Sequence, residues 1–453
     1  MKTPARAARA LLNSGNVKDS TKTENGKLRQ ALEEACAMHG LPLSALTVLA
    51  TQNDPFRVDT PTGHAEGLWL AVQLEQLGLR RPAHLRALHY RLIGRPKPNG
   101  KPYTNTDPDW VWLGNGPAKA ARWLRKISFK QIIDARNNAP VIRPAERDMR
   151  FAPEAWINVG GLRVNIPDAA NLSPVVSADQ FQRAQPWRLA YFGEKTSLEE
   201  VLSPVANSLG ADLYLPAGEI SDSMMYLMAE AAADDGRPLV VLTFCDSDPS
   251  GWQMPVSISR KLQALKAGEF ADLRFQVRRV GLTPAQVREF GLPSTPLKET
   301  EKRGDKWKEA TGTEQTEADA LLALRPDLLR QLARDAARPF YDPSLDARCD
   351  RAQREWIEAC QAAVDAQTDQ DHLDQLAEEA NAALDQIRAE VEALAERIRI
   401  DTSGYELPAP PPIPEPEIPV EPDGLPLIDS DWDFAEQCQR LIASKAYADG
   451  GAS

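Results

Sequence analysis

Val240-Val241-Leu242-Thr243-Phe244-Cys245-Asp246-Ser247-Asp248-Pro249-Ser250-Gly251 is the stretch whose reading decides the fold. A mostly apolar run without polar alternation suits a strand buried on both faces of a parallel sheet. It stops at two carboxylates, a proline and a glycine. Asp246 and Asp248 then lie at the strand's C-terminal edge, where open α/β sheets place their chemistry. Carboxylates two apart on an extended segment point the same way and can reach one hard cation. The other reading is a plain turn, since Asp-Pro and Ser-Gly are ordinary turn formers.

Upstream, Arg188 to Phe192 reads as a short strand, followed by Gly193-Glu194-Lys195 and a helix starting near Ser197. Glu194 therefore also falls at a strand's C-terminal edge. Leu213-Tyr214-Leu215 reads as a strand and Ser223 to Ala233 as a helix, with Gly236 as its stop. This βαβ order predicts neighbouring parallel strands with Glu194, Asp246 and Asp248 at one end of the sheet. Asp272 to Leu282 alternates and adds a further strand.

The whole chain has 453 residues and a net charge of −12. That length predicts two or three domains. The charge is uneven. Residues 1–150 carry 24 Lys and Arg against 13 Asp and Glu, whereas residues 341–453 carry 8 against 26. A basic N-terminal part fits a polyanion-binding domain, or simply a solvated helical one. Five scattered cysteines without CxxC spacing exclude a readable zinc or disulfide framework. No apolar run is long enough to span a bilayer, and Met1 to Arg6 lacks the apolar core of a secretory signal, so a cytoplasmic protein without membrane partners is expected.

Residues 1–60 read as a polar extension containing a helix from Lys27 to His39. Within 61–150, Pro82 to Leu92 predicts a helix whose buried stripe is Leu85, Leu88 and Leu92. Arg86 and Tyr90 lie one turn apart on the other side. Such a tyrosine is either a nucleophile supported by its arginine or half-buried packing. A strand at Trp110–Leu113 and a basic helix from Lys119 to Lys126, with Arg122 and Arg125, complete a helix-turn-helix or winged-helix pattern whose cations contact phosphates. Residues 151–186 read as an interdomain connection and 187–340 as the sheet domain. Lys298 and Lys302 are candidate phosphate contacts or a solvated loop. Glu317 and Asp319 either add to the acidic edge or start a helix. Residues 341–400 read as a helical, coiled-coil-like segment. Residues 401–453 hold a polyproline linker at 407–422 and a final amphipathic helix that docks on the body, shields a basic face or binds a partner.

Arg86-x-Leu-His-Tyr90, then Gly193-Glu194-Lys195, then Asp246-Ser-Asp248-Pro-x-Gly251 resembles the A subunit of topoisomerase VI and the related meiotic double-strand-break transesterases, in particular their short, mobile-element-type members. The resemblance implies an α/β fold: a Toprim, Rossmann-like parallel sheet, an N-terminal winged-helix domain and a helical C-terminal extension. It implies that Tyr90 attacks a DNA phosphorus to leave a 5′-phosphotyrosyl link, that Arg86 stabilises the phosphate, and that Asp246, Asp248 and Glu194 hold Mg²⁺, with Glu194 also a candidate acid or base. The implied partners are double-stranded DNA, a second copy of the chain and a possible GHKL-type ATPase B subunit, in the nucleoid. His89 stands where Tyr or Phe is usual, and Ala87 where Asp is common. Two other functions stay open: a Toprim nuclease using metal-activated water, and a non-catalytic DNA-binding protein.

Overall fold

The computed structural model describes residues 27–384 and 401–449, apart from 52, 80–81, 135–138, 146–152, 160–171, 182 and 298–300. The extension at 1–25, Lys298, and the heptad positions from Ile387 to Ile398 lie outside the described residues. The chain forms two compact units. One takes residues 1–145, 187–341 and 420–453; the other takes 146–186 and 342–419.

The first unit opens with α1 (Lys27–His39) and α2 (Pro61–Gln76). Thr60 caps α2 by accepting from Gly63 N, and Pro61 supplies a preset φ at its first turn. β1 (Ala83–His84), α3 (Leu85–Leu92), α4 (Asp107–Asn115), α5 (Pro117–Trp123) and β2 (Ile132–Ile133) follow. β1 and β2 pair in parallel. α2 and α5 pack so closely that a Cβ at Gly67 would lie 3.0 Å from the Ala120 and Ala121 backbone. Leu88 and Leu92 are buried as expected, whereas Leu85 is only half-buried.

The strand expected at Trp110–Leu113 is helix instead. Pro108 sits in the first turn of α4, and Asp107 and Asp109 place negative charge at its N-terminus. Asp109 accepts from Thr104 N and Oγ1 and pairs with Lys97 at 2.6 Å, so the turn before the helix is fixed by side chains. This local chemistry outweighs the β preference of Trp and Val.

The chain then enters the second unit, where β3 (Ala155–Val159) and β4 (Pro174–Ala178) pair antiparallel. The segment expected as a connection at 151–186 therefore has structure of its own, because Val176 and Phe181 have apolar partners within the unit.

Back in the first unit, β5 (Arg188–Gly193), α6 (Glu199–Leu209), β6 (Asp212–Tyr214), α7 (Asp222–Asp235), β7 (Leu239–Phe244), α8 (Pro249–Gly268) and β8 (Phe275–Gly281) build the central sheet. Its order is β6-β5-β7-β8-β9, with β9 described below and the first four strands parallel. Every residue of β5 and β7 is buried. Ala190, Phe192 and Val241 face one apolar cluster; Leu189, Tyr191, Val240 and Leu242 face the other. That two-sided burial is why neither strand alternates in sequence. A buried Arg188 ties β5 to Asp212 at 2.8 Å and to Asp235 at 3.0 Å. α9 (Pro284–Phe290), α10 (Gly304–Thr311), α11 (Ala318–Leu324) and α12 (Pro326–Ala337) follow, α12 packing beside α6.

In the second unit, α13 (Leu345–Gln367) sets Trp356 and Cys360 against Val176 and Phe181, and α14 (Gln370–Leu384) follows. The proline-rich stretch is extended but not free. Pro408 O accepts from Trp356 Nε1 at 3.3 Å, and Glu417 N donates to Asp342 at 2.6 Å. The chain finally returns to the first unit, where β9 (Ile428–Asp429) adds an antiparallel edge to β8 and α15 (Phe434–Asp449) lies on α8. Of the three expectations for the final helix, docking on the body is the one seen. Cys438 and Leu441 are buried, and Trp252 Nε1 donates to Ser444 O.

Candidate metal centre and adjoining cleft

The β5–β7 ladder runs one residue past β5, and the β7–β8 ladder one residue past β7. Glu194 N donates to Phe244 O at 2.9 Å, and Cys245 N donates to Gly281 O at 2.7 Å. Glu194 and Asp246 are thereby neighbours on the sheet's C-terminal rim. Glu194 Oε2 accepts from Asp246 N at 2.8 Å. Asp246 is 4 % exposed; its Oδ1 accepts from Ala318 N at 2.8 Å and its Oδ2 lies 3.2 Å from Lys195 Nζ. Asp248 caps α8, accepting from Ser250 N at 2.9 Å and Gly251 N at 2.7 Å. The glycine is required here: a Cβ at Gly251 would stand 2.3 Å from the Asp246 carbonyl oxygen. Ser247 and Thr316 exchange backbone hydrogen bonds at 2.8 and 3.1 Å, which pins the turn between the two aspartates.

Crowding three carboxylates at a half-buried rim changes their acidity. Burial, reinforced by the charges of Asp246 and Asp248, pushes Glu194 up to about 7. Burial also raises Asp246, against the pull of the Ala318 N–H and Lys195. Lys195 is held protonated: burial works against its charge, but Glu317 and Asp246 outweigh it. Burial raises the Cys245 thiol above its ordinary value.

Hard carboxylate oxygens are the donor chemistry that Mg²⁺ takes. As they stand, however, one oxygen of Glu194, one of Asp248 and both of Asp246 are committed to backbone N–H groups and to Lys195. Among the described residues, no group of three or more His, Cys, Asp or Glu side chains is arranged around a common metal position. The donors fit a magnesium ion in kind; their present geometry serves hydrogen bonds and one ammonium.

Arg86 lies beside a cleft of about 960 Å³ that Trp110, Val111, Lys119, Asp222 and Lys261 also line. Its wall includes Pro216 and Ala217, in the loop where Gly218 N donates to Glu194 O at 2.7 Å, so cleft and acidic rim share that loop. A smaller hollow of about 190 Å³ shares Asn53 and Glu219 with the cleft and reaches Ser250 and Arg303 at the start of α8. Glu194, Asp246 and Asp248 themselves line neither hollow.

Tyr90 is 54 % exposed and does not line the cleft. Its ring meets the edge of His89 at 5.0 Å. His89 is buried, with Nδ1 2.7 Å from Tyr103 Oη and Nε2 2.9 Å from Asn105 Oδ1. Nε2–H donating to Asn105 and Tyr103 O–H donating to Nδ1 satisfies all three groups. Burial raises the Tyr103 phenol to above its ordinary range, which keeps that proton in place.

The basic helix expected to touch phosphates is partly turned inward. Arg122 is 2 % exposed and pairs with Asp134 at 2.6 Å and Asp222 at 3.7 Å. Trp123 Nε1 donates to Asp222 at 3.0 Å, Lys130 pairs with Glu230 at 2.6 Å, and Phe129 stacks on Tyr226. Burial alone would raise Asp222, but Lys119, Lys261 and Arg122 hold it well below the usual carboxylate range. These groups fasten the N-terminal helices to α7; they are not a free cationic face. A periodicity argument sees only one helix and cannot see Asp222, about a hundred residues away. Sequence reading also missed that Lys195 bridges Asp246, Glu317 and Asp319; the Glu-Lys pair leaving a buried strand was the available signal.

No family model matches this sequence, and no curated protein matches it. No described helix is long and apolar enough to cross a membrane.

Proposed function

We propose that this chain is a Mg²⁺-dependent DNA-cleaving transesterase of the topoisomerase VI A type, with residues 187–340 as its Toprim domain and the N-terminal helices as its winged-helix counterpart. The observation that carries the reading is the meeting of Glu194, Asp246 and Asp248 at one rim of adjacent parallel strands, beside a cleft that holds Arg86. Asp246 and Asp248 would hold Mg²⁺, which when bound would neutralise charge on the phosphate oxygens, with Glu194 either a further ligand or the general acid of the step.

The chain's own groups have distinct tasks. The Tyr90 oxygen forms a bond to phosphorus and gives up its proton to solvent. The bond from phosphorus to the 3′-oxygen breaks, and Glu194 donates the proton that the leaving oxygen needs. Burial and the neighbouring carboxylates raise Glu194 above the ordinary carboxylate range, which suits a proton donor. Arg86 stabilises the phosphate from the cleft. Because Tyr90 opens to solvent and away from its own cleft, the reading pairs the tyrosine of one copy with the acidic rim of another.

The same observation favours a second reading, in which water attacks at the acidic rim and Tyr90 is a surface residue. Incubation with supercoiled duplex DNA and Mg²⁺, quenched with denaturant, separates the two. Transesterification leaves DNA covalently bound to the protein, and Tyr90→Phe abolishes both adduct and breakage. Breakage that survives in Tyr90→Phe, without adduct, establishes the hydrolytic reading. No breakage by wild type with any divalent cation, in the presence of DNA-bound dimer, removes both.

A further inference from the structure

Lys195 leaves β5 directly after Glu194, and three carboxylates surround its ammonium. Nζ lies 3.2 Å from Asp246 Oδ2, 2.8 Å from Glu317 Oε2 and 3.3 Å from Asp319 Oδ2. The three are unlike one another. Asp246 is buried at the rim, whereas the Glu317 and Asp319 side chains are 47 % and 40 % exposed. The backbone around them is fixed: Ala318 N donates to Asp246 Oδ1, and Thr316 is paired with Ser247 in both directions. The ammonium on its flexible four-carbon stem is the movable member of the group.

We propose that Lys195 is the resident counter-ion of this rim. It neutralises Asp246 while no divalent cation is held. It yields Asp246 Oδ2 when one binds, keeping Glu317 and Asp319 as its remaining partners. The inference rests on the metal reading above and adds a competition to it. Cation binding must displace an ion pair and then tolerate an ammonium nearby, so Lys195 sets the affinity threshold and Glu317 and Asp319 make its release easier. Lys195 is a positioning residue here, acting through Asp246 and not on the DNA.

The test is direct Mn²⁺ binding to the full chain, by titration calorimetry and by the spin-resonance signal of free Mn²⁺, without DNA. Removing a positive charge a few ångströms from a bound dication in a half-buried site should tighten binding by about tenfold or more. Lys195→Met is therefore expected to bind Mn²⁺ at least that much more tightly than wild type, and Lys195→Arg to stay close to wild type. The double substitution Glu317→Gln with Asp319→Asn should weaken binding in the wild-type background and do so less in the Lys195→Met background; plain loss of negative charge would weaken both equally. Equal or weaker binding by a cooperatively melting Lys195→Met, or equal effects in both backgrounds, overturns the counter-ion role while leaving the metal reading intact. Mn²⁺ binding indifferent to Asp246→Asn in every background overturns the metal reading and this inference with it.

Discussion

Replacing Glu194 by Gln gives the sharpest test of the crowded rim. The structure holds the Glu194 carboxyl at about 7, against an ordinary 4.5. A carboxyl whose folded value is raised binds its proton more tightly folded than unfolded. Below pH 4.5 both states are protonated and no stability is lost. Between 4.5 and 7 the unfolded chain sheds the proton first, so stability falls as pH rises, and above 7 the loss is complete. At about 1.36 kcal/mol per pH unit, the difference is worth about 3 kcal/mol, an upper figure because the carboxylate is partly open to water. Glutamine can still accept from Asp246 N but has nothing to ionise. In thermal melts without divalent cation, Glu194→Gln should match wild type near pH 4.5 and exceed it at pH 8 by on the order of 5 °C. Adding Mg²⁺ at pH 8 should raise wild type and leave the variant nearly unmoved, because a dication relieves the repulsion that Gln already lacks. Parallel melting curves of the two proteins from pH 4.5 to 8 would refute the reasoning at its first step.

Other outcomes follow from the same geometry. Gly251→Ala forces a Cβ to within 2.3 Å of the Asp246 carbonyl; a loss of about 1–3 kcal/mol, read by denaturant titration, is expected, together with weaker Mn²⁺ binding. Arg188→Met leaves Asp212 and Asp235 buried without their shared cation, and should destabilise the first unit by about 3–5 kcal/mol; a change under 1 kcal/mol in the same titration would contradict the pairing. Tyr90→Phe should leave the melting temperature unchanged, since the side chain is half exposed, while removing the covalent DNA adduct. Ending the chain before Phe434 uncovers α8 and removes the Ser444 acceptor of Trp252; a lower melting temperature and stronger binding of a hydrophobic dye are expected.

Much of the central sheet and the acidic rim could be read from sequence, for a local reason. A parallel strand buried on both faces must be an unbroken apolar run, and β5 and β7 are. Polar residues that end such a run must sit at its rim, which placed Glu194, Asp246 and Asp248 at the same sheet edge before any coordinates. The helix ending at His39 and the burial of Leu88 and Leu92 likewise depend only on neighbours in the chain. The tertiary structure decided the partners. Arg122 looked like a phosphate contact until Asp134 and Asp222 were brought to it. Residues 155–159 and 174–178 and the proline-rich stretch looked like connections until α13 offered them Trp356 and Cys360. Lys195 had no visible partner until folding set it among three carboxylates. Periodicity and turn chemistry act over a few residues, so the sequence by itself determines where a strand runs and where it stops. The charge a side chain meets there belongs to chain tens or hundreds of residues away, and only the fold brings it within reach.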